Sequence, residues 1–169
     1  MKKNLIILLL LPFLWSCGYR LAGRGASIIP DDARTICVPV FENSSTSPEA
    51  ADFITESLRD GVVRRSGLDL VTDEMTADLV MEGEVRSFDV APVDLFEGGG
   101  TARYQIKVSV DIRLIDNRET RLLYEQKGLS YKDVYQTDQG NFFSMENDTL
   151  KRISKQMSLG LLSLIFDEF

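Results

Sequence analysis

Few side chains in these 169 residues have chemistry open to them: the thiols of Cys17 and Cys37, and the carboxylates of Glu82 and Glu84. There is no histidine. That removes the commonest general base, the commonest metal ligand, and every Ser-His or Cys-His nucleophile pair. Glu82 and Glu84 fall on one strand face, where paired acids can do acid–base work or hold a cation. In a chain with 26 acidic and 19 basic residues the pair reads first as the solvated face of an amphipathic strand. Asp31-Asp32 and Asp73-Glu74 read as turn residues. Gly98-Gly99-Gly100 has neither the G-x-G-x-x-G spacing nor the lysine of a phosphate loop, and no helix pattern follows it to present amide groups. It reads as a softened hairpin loop. These residues argue against an enzyme and imply no metal and no cofactor.

Cys17 belongs to a different chemistry. Lys2 and Lys3 precede an apolar run, residues 5–11, that continues through Phe13, Leu14 and Trp15. The run has the length of a secretory signal and falls short of the ~20 residues that cross a bilayer. It ends in Leu14-Trp15-Ser16-Cys17, which resembles the pattern cleaved by bacterial lipoprotein signal peptidase, with Trp15 as an unusual residue inside it; the alternative is a plain secretory peptide that happens to precede a cysteine. The cysteine sulfur would carry diacylglycerol and the amine freed by cleavage a third chain. Each buried methylene contributes ~0.8 kcal/mol, so several chains hold firmly. Gly18 carries no acid that would favour retention in the inner membrane, which points to the outer one. Expected divisions are a signal peptide at 1–16, a lipidated linker at 17–32 and one domain at 33–169.

Loss of residues 1–16 takes two lysines and no acid, so the net charge of −7 becomes −9. So acidic a chain is unsuited to nucleic acid or to an electrostatic grip on anionic headgroups. With Cys17 lipidated, Cys37 has no partner for an internal disulfide. It lies in an apolar run and reads as an inert core thiol.

The elements that position these residues follow from periodicity. Residues 35–41 read as a first strand, with Pro39 near its end. Residues 42–47 read as a polar loop, then Ser47 as an N-cap with Pro48 in the first helical position. Ala50, Ile54, Leu58 and Val62 give one apolar stripe, and Ser66-Gly67 ends the helix. A short strand at 68–71 follows. Leu79, Met81, Gly83 and Val85 alternate with polar neighbours, and Phe88 and Val90 take the opposite parity, which predicts a bulge near Arg86-Ser87. Tyr104, Ile106, Val108, Val110, Ile112 and Leu114 alternate without a break. Asp116-Asn117-Arg118 is turn material, and residues 121–135 return as an antiparallel strand. A second polar loop is expected at 136–144. A last helix starts at Asn147 or Asp148, with Leu150, Ile153, Met157, Leu161, Leu164 and Ile165 on its apolar stripe. The expected fold is a two-layer α+β sandwich, with two helices on one face of a mixed sheet of four or five strands.

Four stretches carry a family resemblance: Cys17-Gly18-Tyr19-Arg20-Leu21, Val38-Pro39-Val40-Phe41-Glu42-Asn43, Ala77-Asp78-Leu79-Val80-Met81-Glu82-Gly83 and Gly100-Thr101-Ala102-Arg103-Tyr104-Gln105. In this order and spacing the chain resembles the LPS-assembly lipoprotein family (LptE) from Cys17 to the last helix. The resemblance implies the same fold, with two helices on one face of a four-stranded mixed sheet, and a plug inside the LptD β-barrel of the outer membrane that helps the barrel assemble and lipopolysaccharide reach the outer leaflet. Such a plug needs cations near lipid phosphates, yet the loop at 91–100 carries Asp94 and Glu97 and no base. Arg103, Lys107 and Arg113 are the candidate contacts, with Arg86 nearby; solubility of a sheet face is their alternative role. Val93, Leu95 and Phe96 make the loop either an interaction tip, with Phe96 as its anchor, or a flap folded over the core. The competing reading is a free-standing periplasmic lipoprotein that binds another lipid or envelope component.

Overall fold

The computed structural model describes residues 28–94, 102–137 and 142–166. Cys17, Phe96 and the three glycines lie outside them. In chain order the elements are β1 (Thr35–Cys37), β2 (Glu42–Asn43), α1 (Ala50–Arg65) and β3 (Asp69–Val71). A 3-10 turn (Glu74–Thr76) leads into β4 (Leu79–Asp94), β5 (Ala102–Asp116), β6 (Arg121–Thr137) and α2 (Phe142–Phe166). One sheet runs β3-β1-β4-β5-β6, and β2 adds to β4 further along its length. The β1, β2 and β3 pairings are parallel, while β4, β5 and β6 form an antiparallel meander.

The sheet therefore has six strands, where the periodicity predicts four or five and the family resemblance four. The run at 35–41 does not stay in the ladder: β1 stops at Cys37, the chain steps past Pro39, and Glu42–Asn43 rejoins beside Glu84 and Val85. That step seats Phe41. Its amide donates to Thr55 Oγ1 at 3.1 Å, and its ring occupies the space where a side chain on Gly83 would stand. A glycine in the middle of β4 is thus a point of close approach.

The predicted bulge is present, because Val85 pairs with Val110 and Ser87 with Ser109, leaving Arg86 extra. It returns Phe88 to the face of Leu79, Met81 and Val85. That face, the alternate residues of β5 from Ile106 to Leu114, and the stripes of both helices form one apolar cluster. Burying each large side chain there contributes roughly 1.5–3 kcal/mol. Cys37 is buried as expected, but in a small second cluster with Ala77 and Val80.

The helices differ from expectation in three places. α1 begins at Ala50 rather than Pro48, with Glu49 in the cap position and no side-chain cap bond. Asn43 Nδ2 instead holds the Ser47 and Pro48 carbonyls at 2.8 and 3.3 Å. α2 starts at Phe142, inside the expected loop, and β6 extends to Thr137. On α2, Leu162 is buried while Leu164 is 49% exposed. The stripe is turned toward α1, where Gly61 lets Leu162 and Ser158 come against its backbone, and Ser158 Oγ donates to the Ser57 carbonyl at 2.7 Å. Gly61 weakens α1 as a helix former and is the residue that permits this crossing.

Candidate functional site

The side chains on the face of the sheet away from the helices divide into two halves. In the half nearer β1, charges are matched. Arg113 pairs with Glu82 at 2.9 Å. Glu84 accepts from Ser44 Oγ at 2.5 Å and pairs with Arg86 at 2.8 Å, and Arg86 also reaches Asp111 at 3.5 Å. The hydroxyl of Ser44 and the guanidinium of Arg86 hold the Glu84 carboxyl below the usual carboxylate range, and Glu84 raises Arg86 in return. Asp111 Oδ1 also accepts from the Gly128 amide at 2.7 Å. A groove of about 550 Å³ crosses this half, lined by Glu42, Glu82, Glu84, Asp111, Arg113 and Glu125 among others. Glu82 and Glu84 are here occupied by cations, so the pair that could do acid–base chemistry serves as a charge ladder. Among the described residues no group of histidine, cysteine and carboxylates is placed to hold a metal.

The half nearer the β4–β5 hairpin is different. Lys107 is exposed and lies in register between Asp89 on β4 and Lys132 on β6. Neither lysine makes an ion pair among the described residues. Ser109 and Ser130 face each other in the next register position on that face, and Arg103 faces Gln136 two positions nearer the hairpin. Arg103 and Lys107 share this half, about 13 Å apart at the rise of a strand, whereas Arg113 lies roughly 20 Å from Lys107 in the matched half. The named cations are therefore not one cluster. Lys132 was missed by sequence reasoning. Two slips of register in β6, one with Lys127 and Gly128 set against Asp111 and one at Leu123, scramble its alternation, so its faces could not be read. The signal available was Gly128, whose φ of 65° marks the break.

The opposite end of the sheet secures the lead-in. The Asp78 carboxylate accepts from the amides of Arg34 and Thr35 at 2.7 and 3.0 Å, and these bonds lower its pKa. Asp116 is 1% exposed. Arg118 bonds it at 3.1 Å and reaches Asp32 at 2.8 Å, which lowers the Asp116 pKa and raises that of Arg118. The turn after β5 is thereby clamped to the chain leading into β1.

A family model described as lipopolysaccharide-assembly, LptE, matches residues 33–163. The chain belongs to the LptE family. The match spans every element of the sheet and nearly all of α2, and it places the chain in a family associated with lipopolysaccharide transport in the bacterial envelope rather than with catalysis. No curated protein matches by sequence. Solved structures share the LptE-family chain's fold at low identity. A Xanthomonas campestris protein is 10% identical with a TM-score of 0.52, covering 79% of this chain and 84% of its own. A candidate lipoprotein from Caulobacter crescentus is 15% identical with a TM-score of 0.51, covering 75% and 87%. A Chlamydia trachomatis protein is 11% identical with a TM-score of 0.50, covering 79% and 98%. These likenesses speak to fold alone.

Proposed function

We propose that this LptE-family chain is anchored in the outer membrane through lipid on Cys17. On this reading it sits as plug and assembly partner in an LptD-like β-barrel and aids lipopolysaccharide insertion into the outer leaflet. The observation that carries the lipopolysaccharide contact is the Lys107–Lys132 pair. Like charges directly opposite on neighbouring strands are destabilising. Here they stand on a face whose other half is ion-paired, in a chain of net charge −7. An anion with several oxygens, such as a lipid phosphate, would bridge both ammonium groups and turn the repulsion into charge-assisted bonds. Arg103 extends this basic half toward the hairpin. Arg113 and Phe96 are assigned to the barrel, Arg113 lining the polar lumen contact and Phe96 anchoring the hairpin tip.

Lipopolysaccharide binding to the detergent-solubilised protein tests the first part. Lys107→Ala and Lys132→Ala should each weaken it several-fold and the double variant more than tenfold, whereas Arg113→Ala should change it little. Equal binding by wild type and the double variant would refute the assignment. Photo-crosslinkers at Phe96 and Lys107 in living cells should capture one outer-membrane β-barrel, and a crosslinker at buried Val108 none. Lipid adducts alone at Phe96 and Lys107 would replace the plug with a free-standing lipid-binding lipoprotein. Cys17→Ser should abolish palmitate labelling, and normal labelling of that variant would end the anchor reading.

A further inference from the structure

Strand β4 is longer than the strands that flank it on one side. β1 pairs with its residues Leu79 and Val80, and β2 with Glu84 and Val85. From Phe88 onward, β5 is its only neighbouring strand among the described residues. The direction of the free backbone groups follows from the register. The Val85 carbonyl accepts from the Ser44 amide at 2.9 Å and the Phe88 carbonyl from Thr46 Oγ1 at 2.9 Å. Both therefore point away from β5, on either side of the bulge.

Pairing with β5 is unbroken from Ser87 to Pro92, and successive residues of an antiparallel strand turn their backbone groups to opposite sides. Ser87, Asp89 and Ala91 thus bond β5, and Val90 and Pro92 face outward with Phe88. Pro92 has no N–H, so it interrupts nothing in the β4–β5 ladder. What remains on the edge is the Val90 N–H, the Val90 carbonyl and the Pro92 carbonyl. Residues 89–93 are all exposed, with Val90 at 36% and Val93 at 45%.

We propose that this edge receives an extended segment of the β-barrel partner as an added strand, an inference that rests on the plug reading above. Donor and acceptor in alternation, at strand spacing, are what another polypeptide backbone supplies. Asp89 is exposed and makes no ion pair among the described residues, so the segment that fits carries a basic side chain near Asp89 and an apolar one beside Val90. A second copy of this chain fits less well. It would bring a further net charge of −7 against the same edge. Three backbone groups closed off by Pro92 also bury far less than the ~1,000 Å² of a stable interface between folded surfaces.

Hydrogen exchange read at single amides, in the chain alone and in the purified complex with its barrel, tests this. The Val90 amide should exchange at least ~10-fold more slowly in the complex, while Asp89 and Ala91, already bonded to β5, should change little. A complex in which Val90 exchanges as fast as in the free chain overturns the added strand and leaves the plug reading standing. Failure of any barrel to co-purify with the wild type overturns both. Val90→Pro removes the outward N–H without breaking a β4–β5 hydrogen bond, and Val90→Ala shortens the same side chain but keeps that N–H; both should unfold within a few degrees of wild type, and the proline variant should recover several-fold less barrel than the alanine one. Undiminished recovery would also overturn the proposal.

Discussion

Val110→Asp puts the assignment of the two sheet faces at risk. Val110 is fully buried in the main cluster, between Val85 and Leu129 in the register. Removing its side chain forfeits roughly 1.5–3 kcal/mol of burial. The carboxyl that replaces it has only apolar neighbours in that cluster, so burial raises its pKa. An upward shift of about 3 units costs about 4 kcal/mol at pH 7. The sum, about 6 kcal/mol, is comparable with the whole stability of many domains, and at roughly 3–5 °C per kcal/mol for a domain of this size it lowers Tm by about 20 °C or more. Ser109→Asp, one residue away on the other face, should stay within about 1 kcal/mol of wild type. The sign of the pH effect is also fixed. A carboxyl whose folded pKa lies above its unfolded value destabilises more as pH rises through that interval, so Val110→Asp should sit closer to wild type at pH 4 than at pH 7. Thermal unfolding of the three proteins at both pH values reads this directly, and equal Tm for the two variants would refute the register.

Three further outcomes are expected. Cys37, buried and with its pKa raised by desolvation and by Glu74, should resist alkylation in the native protein and react on unfolding; fast native labelling would contradict the placement of β1. Asp116 has its folded pKa lowered by Arg118, so its contribution is present above the unfolded aspartate value of about 3.9 and lost as pH falls through the folded one. Asp116→Asn should therefore be less stable than wild type at pH 7, with the gap closing below about pH 4, and a gap constant with pH would show that the charge is not what matters. Gly83→Val, favourable by strand propensity, should instead cost about 3 kcal/mol in chemical denaturation, because it displaces the Phe41 ring; a neutral result would mean the ring is not seated there.

Legibility in the sequence tracked how many neighbours an element has to satisfy at once. β5 lies between two long strands with one face on the core, so each residue has a single acceptable side, and its alternation is unbroken from Tyr104 to Leu114. The bulge in β4 was readable for the same reason, since the parity change had to be absorbed somewhere near Arg86. β6 is an edge strand, free to slip twice, and its pattern blurs. β2 was invisible because two polar residues carry no periodicity. The N-termini of both helices were misplaced because cap residues are a local signal. At α1 no side chain caps the first amides; Asn43, four residues before Ser47, instead fixes the turn ahead of the helix by donating to the Ser47 and Pro48 carbonyls. The half of the sheet proposed to take an anion suffered from the same limit: Lys107 was legible on β5, and its counterpart Lys132 was hidden by the slips that precede it.

The placement of charge along the sheet bears on how a tethered plug would work. Sixteen residues of β4 span roughly 50 Å, from the end where Asp78 and Arg118 hold the lead-in to the far end at Asp94. On the proposed reading the lipid fixes the first end at the membrane surface, so only the far half can reach a ligand well above it. The near half is closed on itself: β1, β2 and β3 complete its edge, and Glu82, Glu84, Asp111, Arg86 and Arg113 pair among themselves. The far half is where the unpaired lysines and the open stretch of β4 both lie. Exposed pairs of this kind contribute little to stability, about 0–1 kcal/mol each, so the matched half is not explained as a stabilising device. Its effect is to leave that surface with little to offer an anion, which confines the attraction for phosphate to the end of the sheet farthest from the anchor.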